Sequence, residues 1–202
     1  MPKTLQNHLD PRQPLVVDTT KLPRQPGATR AFKRVVPAPA DLGLELISAP
    51  EGSDLELDLS LTSVSEGVYV SGTVRGSLSG ECGRCLNEIS ESFEVPLAEL
   101  YAYADSTTEE TTDEDEVGRM QGDLIDLEPA VRDAVVLTLP TNPVCRPDCP
   151  GLCPECGVHF DDLPADHSHE EVDPRWAALR NVSQPEQSAA ASPHKPQKMI
   201  EE

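Results

Sequence analysis

Aromatic side chains are scarce in this sequence: three phenylalanines, three tyrosines and one tryptophan among 202 residues. Hydrophobic residues make up 37%. A core is possible but modest, and part of the chain is expected to lie outside it. Long apolar runs are absent. No stretch approaches the roughly 20 apolar residues of a membrane-spanning helix, so a helical membrane protein is excluded. No apolar segment follows the first basic residues, so a secretory signal is not expected and the chain is read as cytoplasmic. Catalytic signatures are missing too. There is no HExxH, no phosphate-binding glycine loop and no G-x-S-x-G. The run His169-Glu170-Glu171 follows the cysteines, the reverse of the zinc-deaminase order, and Leu152 stands where that pattern needs proline. The expectation is a non-enzyme with no small-molecule substrate.

Basic residues are few, sixteen against thirty-six acidic ones, for a formal net charge of −20. They are also unevenly placed. Residues 1–37 hold seven basic and two acidic side chains, which leaves nine basic and thirty-four acidic ones in the remainder. An acidic body repels phosphate and does not bind nucleic acid through its bulk charge. The basic, proline-rich segment 1–37 is read as an extended arm, unstructured alone, that could touch RNA through Lys21, Arg24, Arg30, Lys33 and Arg34. The acidic body could attract a basic protein.

Hydrophobic periodicity then supplies the regular structure. Leu42, Leu44 and Leu46 alternate with polar residues or glycine, as in a half-buried strand. Leu55, Leu57, Leu59 and Leu61 alternate strictly with Asp54, Glu56, Asp58 and Ser60. Such alternation puts one face on a core and one in water, as in an antiparallel sheet. After a turn at Glu66-Gly67, Val68, Val70, Val74 and Leu78 share one face of a second run. A third carries Ile89, Phe93, Val95 and Leu97 towards Tyr101. Residues 104–128 hold ten acids and one arginine and are read as a solvated loop. Asp126 can cap a helix with Glu128 and Pro129 in its first turn. Leu127, Val131, Ala134, Val135 and Leu139 form its apolar stripe, and Pro140 and Pro143 stop it. The helix is expected to pack on the sheet. A short helix from Asp173-Pro174 through Trp176, Ala177 and Leu179 follows, then a disordered tail over 181–202. The fold class is α+β, an antiparallel meander with a packed helix and a cysteine-rich zinc-knuckle segment at 145–169. Residues 38–180 form the domain.

All six cysteines fall into pairs: Cys82/Cys85, Cys145/Cys149 and Cys153/Cys156. Two thiolates two or three residues apart can turn onto one ion, with backbone N–H groups of the turn pointing at the sulfurs. Zinc takes four such ligands in a tetrahedron. Gly157 after Cys156 lets that knuckle turn tightly. A reducing compartment disfavours disulfides, and a thioredoxin-like C-x-x-C needs a βαβ setting that is absent here. His167 and His169 follow Cys156 and bring the candidate ligands to eight, enough for two zinc sites. The spacing leaves open which ligands pair and whether one or two ions bind. One compact possibility joins Cys82 and Cys85 to a C-terminal pair, which would pin that segment to the sheet.

With these motifs in view, the chain resembles the YceD family. The resemblance rests on Cys82-Gly83-Arg84-Cys85-Leu86, on Asp126-Leu127 opening a helix that ends in Leu139-Pro140, and on the run from Cys145 through Cys149-Pro-Gly-Leu-Cys153-Pro-Glu-Cys156-Gly157. It covers roughly residues 40–180. Many members end the cysteine-rich segment with a further C-x-C where this chain has His167-Ser168-His169, an exchange zinc accepts. The segment Arg24-Gln-Pro-Gly27 with Arg30 resembles members from high-GC Gram-positive bacteria. The resemblance implies a non-catalytic factor in large ribosomal subunit biogenesis, acting on synthesis, processing or stability of 23S ribosomal RNA. The implied partners are precursor large subunits, 23S ribosomal RNA and basic ribosomal proteins. Because some members lack most of the cysteines, zinc is read as scaffold. The alternative function is a zinc-thiolate redox sensor, since clustered thiolates release metal on oxidation.

Overall fold

The computed structural model of the chain describes residues 9–106, 117–169 and 175. The chain divides into two compact units, Met1–Asp162 and Leu163–Glu202. The cut falls inside the cysteine- and histidine-rich segment.

In the first unit the leucine alternation does what a period of two dictates. Strand β5 (Asp54–Ser63) buries Leu55, Leu57, Leu59 and Leu61 and turns Asp54, Glu56, Asp58 and Ser60 to the other face. Strand β6 (Gly67–Glu81) runs antiparallel beside it, and β7 (Glu88–Ala102) antiparallel beside β6. The register is unbroken, with Leu57 opposite Val74 and Val74 opposite Val95. The expected antiparallel meander is therefore present.

Several local readings change. The run from Leu42 is a tight hairpin of β3 (Leu42–Leu44) and β4 (Ile47–Ala49), with Leu42 opposite Ala49. The chain reverses at Glu45-Leu46 so that Ile47 and Ser48 reach the edge of β6 beyond the end of β5. The reading of residues 1–37 as an unstructured arm is corrected over residues 9–37, while 1–8 lie outside the described residues. Strand β2 (Thr29–Pro37) pairs with β5 along its whole length, and β1 (Val16–Asp18) pairs with β9 (Leu124–Asp126). Leu15, Val16, Val17, Leu22 and Val36 are buried. The physical cause is the row of backbone donors and acceptors along β5, which needs a partner strand once its leucines are buried. The acidic segment is corrected in part. Its residues 107–116 lie outside the described residues, but Gly118–Arg119 forms β8 in parallel pairing with Tyr101 and Ala102 of β7, and Met120 and Ile125 are buried.

Helix α1 (Glu128–Val136) starts with Pro129 in its first turn and buries Val131 and Val135. The Asp126 carboxylate accepts the Glu128 N–H at 2.9 Å, although Leu127 occupies the cap position and makes no side-chain cap bond. The helix packs against β3 and β7. Arg132 fastens it, donating to the carbonyls of Ala40 and Asp41 and pairing with Glu128 at 3.0 Å. The expected helix through Trp176, Ala177 and Leu179, and the tail over 181–202, lie outside the described residues. No helix among the described residues is long and apolar enough to cross a membrane.

Candidate metal centre

The link from β6 to β7 is a turn that curls both of its thiols inward. Cys82 N–H donates to the Asn87 carbonyl at 2.8 Å and Leu86 N–H to the Cys82 carbonyl at 2.9 Å. Cys82 and Cys85 are both buried. Beyond α1 the two prolines carry the chain back to this turn, where Gly83 N–H bonds the Pro143 carbonyl at 2.8 Å. A second turn follows, with Cys149 N–H on the Arg146 carbonyl at 3.1 Å. Its thiols meet the first pair. Cys82 Sγ lies 3.8 Å from Cys149 Sγ, and Cys85 Sγ lies 3.6 Å from Cys145 Sγ. All four sulfurs lie within 4.8 Å of one another.

These separations decide between two chemistries. A disulfide needs about 2.05 Å between sulfurs. Four thiolates at about 2.3 Å from one tetrahedral ion stand about 3.8 Å apart along each edge. The cluster has the second geometry and could hold a metal ion. The structure brings Cys82 and Cys85 together with Cys145 and Cys149.

The charge of the cluster points the same way. Burial raises the Cys82 thiol, but hydrogen bonds from the backbone of Cys145, Arg84 and Cys85, and from the Cys85 thiol, outweigh it and bring Cys82 down to about 6. Cys145 is pushed up to about 12, first by its hydrogen bond with Cys85 and then by burial. Cys149 is pushed up chiefly by burial. The Cys82 thiolate is thus favoured, whereas hydrogen bonding and burial hold Cys145 and burial holds Cys149 towards the thiol. Thiols lose their protons to ligate a metal, so a bound dication would favour the ionised form of both.

The surroundings hold the two turns together. Arg84 donates to the Cys149 carbonyl at 2.9 Å, and Leu152 N–H bonds the Arg84 carbonyl at 3.1 Å. Gly151 passes this point at φ +85°, and a Cβ there would sit 3.0 Å from the Arg84 carbonyl oxygen. Only glycine takes that backbone conformation without strain. Arg146 pairs with Asp148 at 3.3 Å and also with Asp161. Arg84 stands in the sequence motif Cys82-Gly83-Arg84-Cys85-Leu86 and glycine in the run Cys149-Pro-Gly151, but neither spacing assigns them this supporting role, and Arg146, Asp148 and Asp161 carry no local signal.

Cys153 and Cys156 occupy their own knuckle in the first unit. Cys153 N–H bonds the Val158 carbonyl and Gly157 N–H the Cys153 carbonyl, each at 2.8 Å, with Gly157 at φ +72°. Leu152 and His159 bridge its base. Cys153 is buried and Cys156 exposed. In the second unit His167 N–H bonds the Pro164 carbonyl at 2.9 Å. The rings of His167 and His169 meet edge to face, 4.5 Å between centroids.

The five basic candidates are distributed along folded structure. Lys21 is exposed in the turn after β1. Arg24 pairs with Asp123 at 3.2 Å and lies 4.7 Å over the Tyr103 ring. Lys33 pairs with Asp58 at 2.9 Å. Arg34 lies 5.0 Å over the Phe32 ring. Arg30, Lys33 and Arg34 all belong to β2, at one edge of the large sheet.

Residues 70–183 match the family model for the large ribosomal RNA subunit accumulation protein YceD. The matched stretch contains all six cysteines, His167 and His169. Uncharacterized proteins of Mycobacterium bovis and Mycobacterium tuberculosis are each 52% identical over 183 residues, covering 91% of this chain and 87% of theirs. One from Mycobacterium leprae is 45% identical over 183 residues, covering 91% of this chain and 83% of its own. No solved structure matches the chain.

Proposed function

The chain belongs to the YceD family, named for large ribosomal RNA subunit accumulation, and from that premise we propose that it is a non-catalytic, zinc-stabilised factor in large ribosomal subunit biogenesis. It acts in the cytoplasm on the synthesis, processing or stability of 23S ribosomal RNA. Its partners are the precursor large subunit, that RNA and basic ribosomal proteins. The observation that carries the reading is the family match across the cysteine-bearing half of the chain.

Zinc fits the donor set, since sulfur and imidazole ligands in fours are its usual structural company. One ion takes Cys82, Cys85, Cys145 and Cys149, while Cys153 and Cys156 in the first unit and His167 and His169 in the second are further zinc ligands by the chemistry of their side chains. The first site ties the β6–β7 turn to the segment after α1.

RNA is met by the basic edge of β2 through Arg30, Lys33 and Arg34, with Lys21 and Arg24 in the preceding turn. The exposed ion pairs of Lys33 and Arg24 leave these cations available, because surface pairs are worth at most about 1 kcal/mol. The test depletes the protein in cells and measures mature and precursor 23S ribosomal RNA, then restores it with wild type or with Arg30, Lys33 and Arg34 changed to Glu. Depletion is expected to lower mature 23S ribosomal RNA, and the triple variant to fail in rescue. Purified protein should bind precursor large subunits at low salt. Five phosphate contacts predict a roughly 100–500-fold weakening from 50 to 200 mM salt. Unchanged ribosomal RNA on depletion would overturn the reading.

The exposure of Cys145, beside three buried thiols, favours the redox reading as a second one. There two thiolates pass two electrons to peroxide, form a disulfide and release the metal. Peroxide titration with zinc and thiol counting separates the two. Metal retained with thiols intact ends the redox reading.

A further inference from the structure

Strand β7 is bound on one side and open on the other. It pairs with β6 over all fifteen of its residues. On its other edge β8 meets only Tyr101 and Ala102. Among the described residues no strand pairs that edge from Glu88 to Leu100.

The direction of its backbone groups follows from parity. In an antiparallel pair, each residue either exchanges both hydrogen bonds with its partner or turns both groups away. Glu81 N–H bonds the Leu46 carbonyl, on the side of β6 away from β7. The Glu81–Glu88 pair therefore exchanges none, and even-numbered residues of β7 face the open edge. The other end agrees, where the Ala102 carbonyl accepts Met120 N–H. Pro96 agrees as well, since its missing N–H falls on the open side, where proline is tolerated. The edge thus offers the N–H groups of Ser90, Ser92, Glu94 and Ala98, and the carbonyls of these residues and of Pro96.

The side chains set the sign of what fits. β7 carries Glu88, Glu91, Glu94 and Glu99, all exposed, and no lysine or arginine. Arg75 of β6 pairs with Glu94. Near the start of β7 a hollow of about 490 Å³ lined by Glu45, Glu81 and Glu88 reaches across β6 to the β3–β4 hairpin, so it adds acidic charge near this end of the sheet without bordering the open edge. At the other a hollow of about 340 Å³ holds Glu99, Asp126 and Asp133, with Arg119 on its wall. Two copies of β7 side by side would oppose glutamates, which is destabilising.

We propose that the open edge of β7 docks an extended, lysine- or arginine-rich protein segment, which adds to the sheet as one more strand. Main-chain hydrogen bonds to the outward groups from Ser90 to Ala98 hold the segment, and the glutamates of β7 with the acidic hollow at its β8 end select its charge. As the attachment point for a basic ribosomal protein tail, this rests on the function proposed above; as a peptide site it can be tested alone.

The probe is a fluorescent peptide of five Lys-Val repeats, titrated against the full chain at low salt. A Lys-Pro peptide of equal charge serves as control because it cannot pair as a strand. Tight Lys-Val binding is expected, about tenfold weaker for Lys-Pro. Ser92→Pro, which deletes one outward N–H as Pro96 already does, should weaken Lys-Val binding about five- to tenfold. Should Ser92→Pro fail to fold, wild-type amide exchange replaces it. Bound Lys-Val peptide should slow exchange at Ser90, Ser92, Glu94 and Ala98. Equal binding of both peptides, or no such protection, overturns the proposal in favour of diffuse charge attraction. Self-association that Ser92→Pro and Lys33→Glu both abolish would also overturn it, since a second copy's basic β2 would then be the occupant. No Lys-Val binding by the wild-type chain, with mature 23S ribosomal RNA still lowered on depletion, removes the docking site alone. Peptide binding without that phenotype removes the ribosomal reading alone.

Discussion

Deletion of residues 1–37 is expected to unfold the protein. The segment supplies β1, β2 and five buried apolar side chains, Leu15, Val16, Val17, Leu22 and Val36. Burying each such side chain is worth about 1.5–3 kcal/mol, and the whole stability of a domain is about 5–15 kcal/mol. Deletion also strips the pairing partner from β5 along nine residues. The expected result is insoluble protein, or soluble protein without a cooperative thermal transition. Calorimetry and near-ultraviolet circular dichroism read this directly. A truncated chain that melts cooperatively near the wild-type temperature would mean that β1 and β2 are dispensable. The practical corollary is that the basic residues have to be tested by substitution.

Chelation, or the change Cys82→Ser, is expected to loosen the chain between α1 and Asp162 while leaving β5–β7 paired. The four-cysteine cluster closes a 60-residue loop between Cys85 and Cys145. Losing a cross-link of that span costs about 2–5 kcal/mol, a drop of roughly 5–20 °C in Tm for a chain of this size. Far-ultraviolet circular dichroism should change little and near-ultraviolet signals more. Cobalt offered to the metal-free protein should give the intense visible absorption of a tetrahedral thiolate site, and Cys82→Ser should weaken it. Protein purified without metal, with an unchanged Tm after chelation, would show that the thiols pack as ordinary core residues.

What the sequence revealed and what it hid divide along physical lines. Strands β5, β6 and β7 were legible because each lies with one face on the core, so the period of two is written into Leu55–Leu61, Val68–Leu78 and Ile89–Leu97. Strand β2 was not. Its core-side positions are Arg30, Phe32, Arg34 and Val36, opposite Leu61, Leu59, Leu57 and Leu55. At the sheet edge only Val36 is fully covered, so arginines stand where leucines would reveal a strand. β1 and β9 are three residues each, too short for any period. The helix was readable from its proline start and apolar stripe, though it ends at Val136, before Leu139. The cysteines were readable as pairs because a knuckle is local. Their assignment was open because Cys82 and Cys149 are brought together by the return of the chain past α1, which no local pattern encodes.

The union of β1 with β9 also sets a schedule for synthesis. Val16 finds its partner at Asp126, so the first strand made must wait for about 110 further residues, or roughly 5–20 s at common elongation rates. Through that interval Val16 and Val17 have no partner, and β2 finds β5 well before. Nascent chains should therefore gain their sheet in two stages, and the first strand is the one most exposed to chaperones on the way.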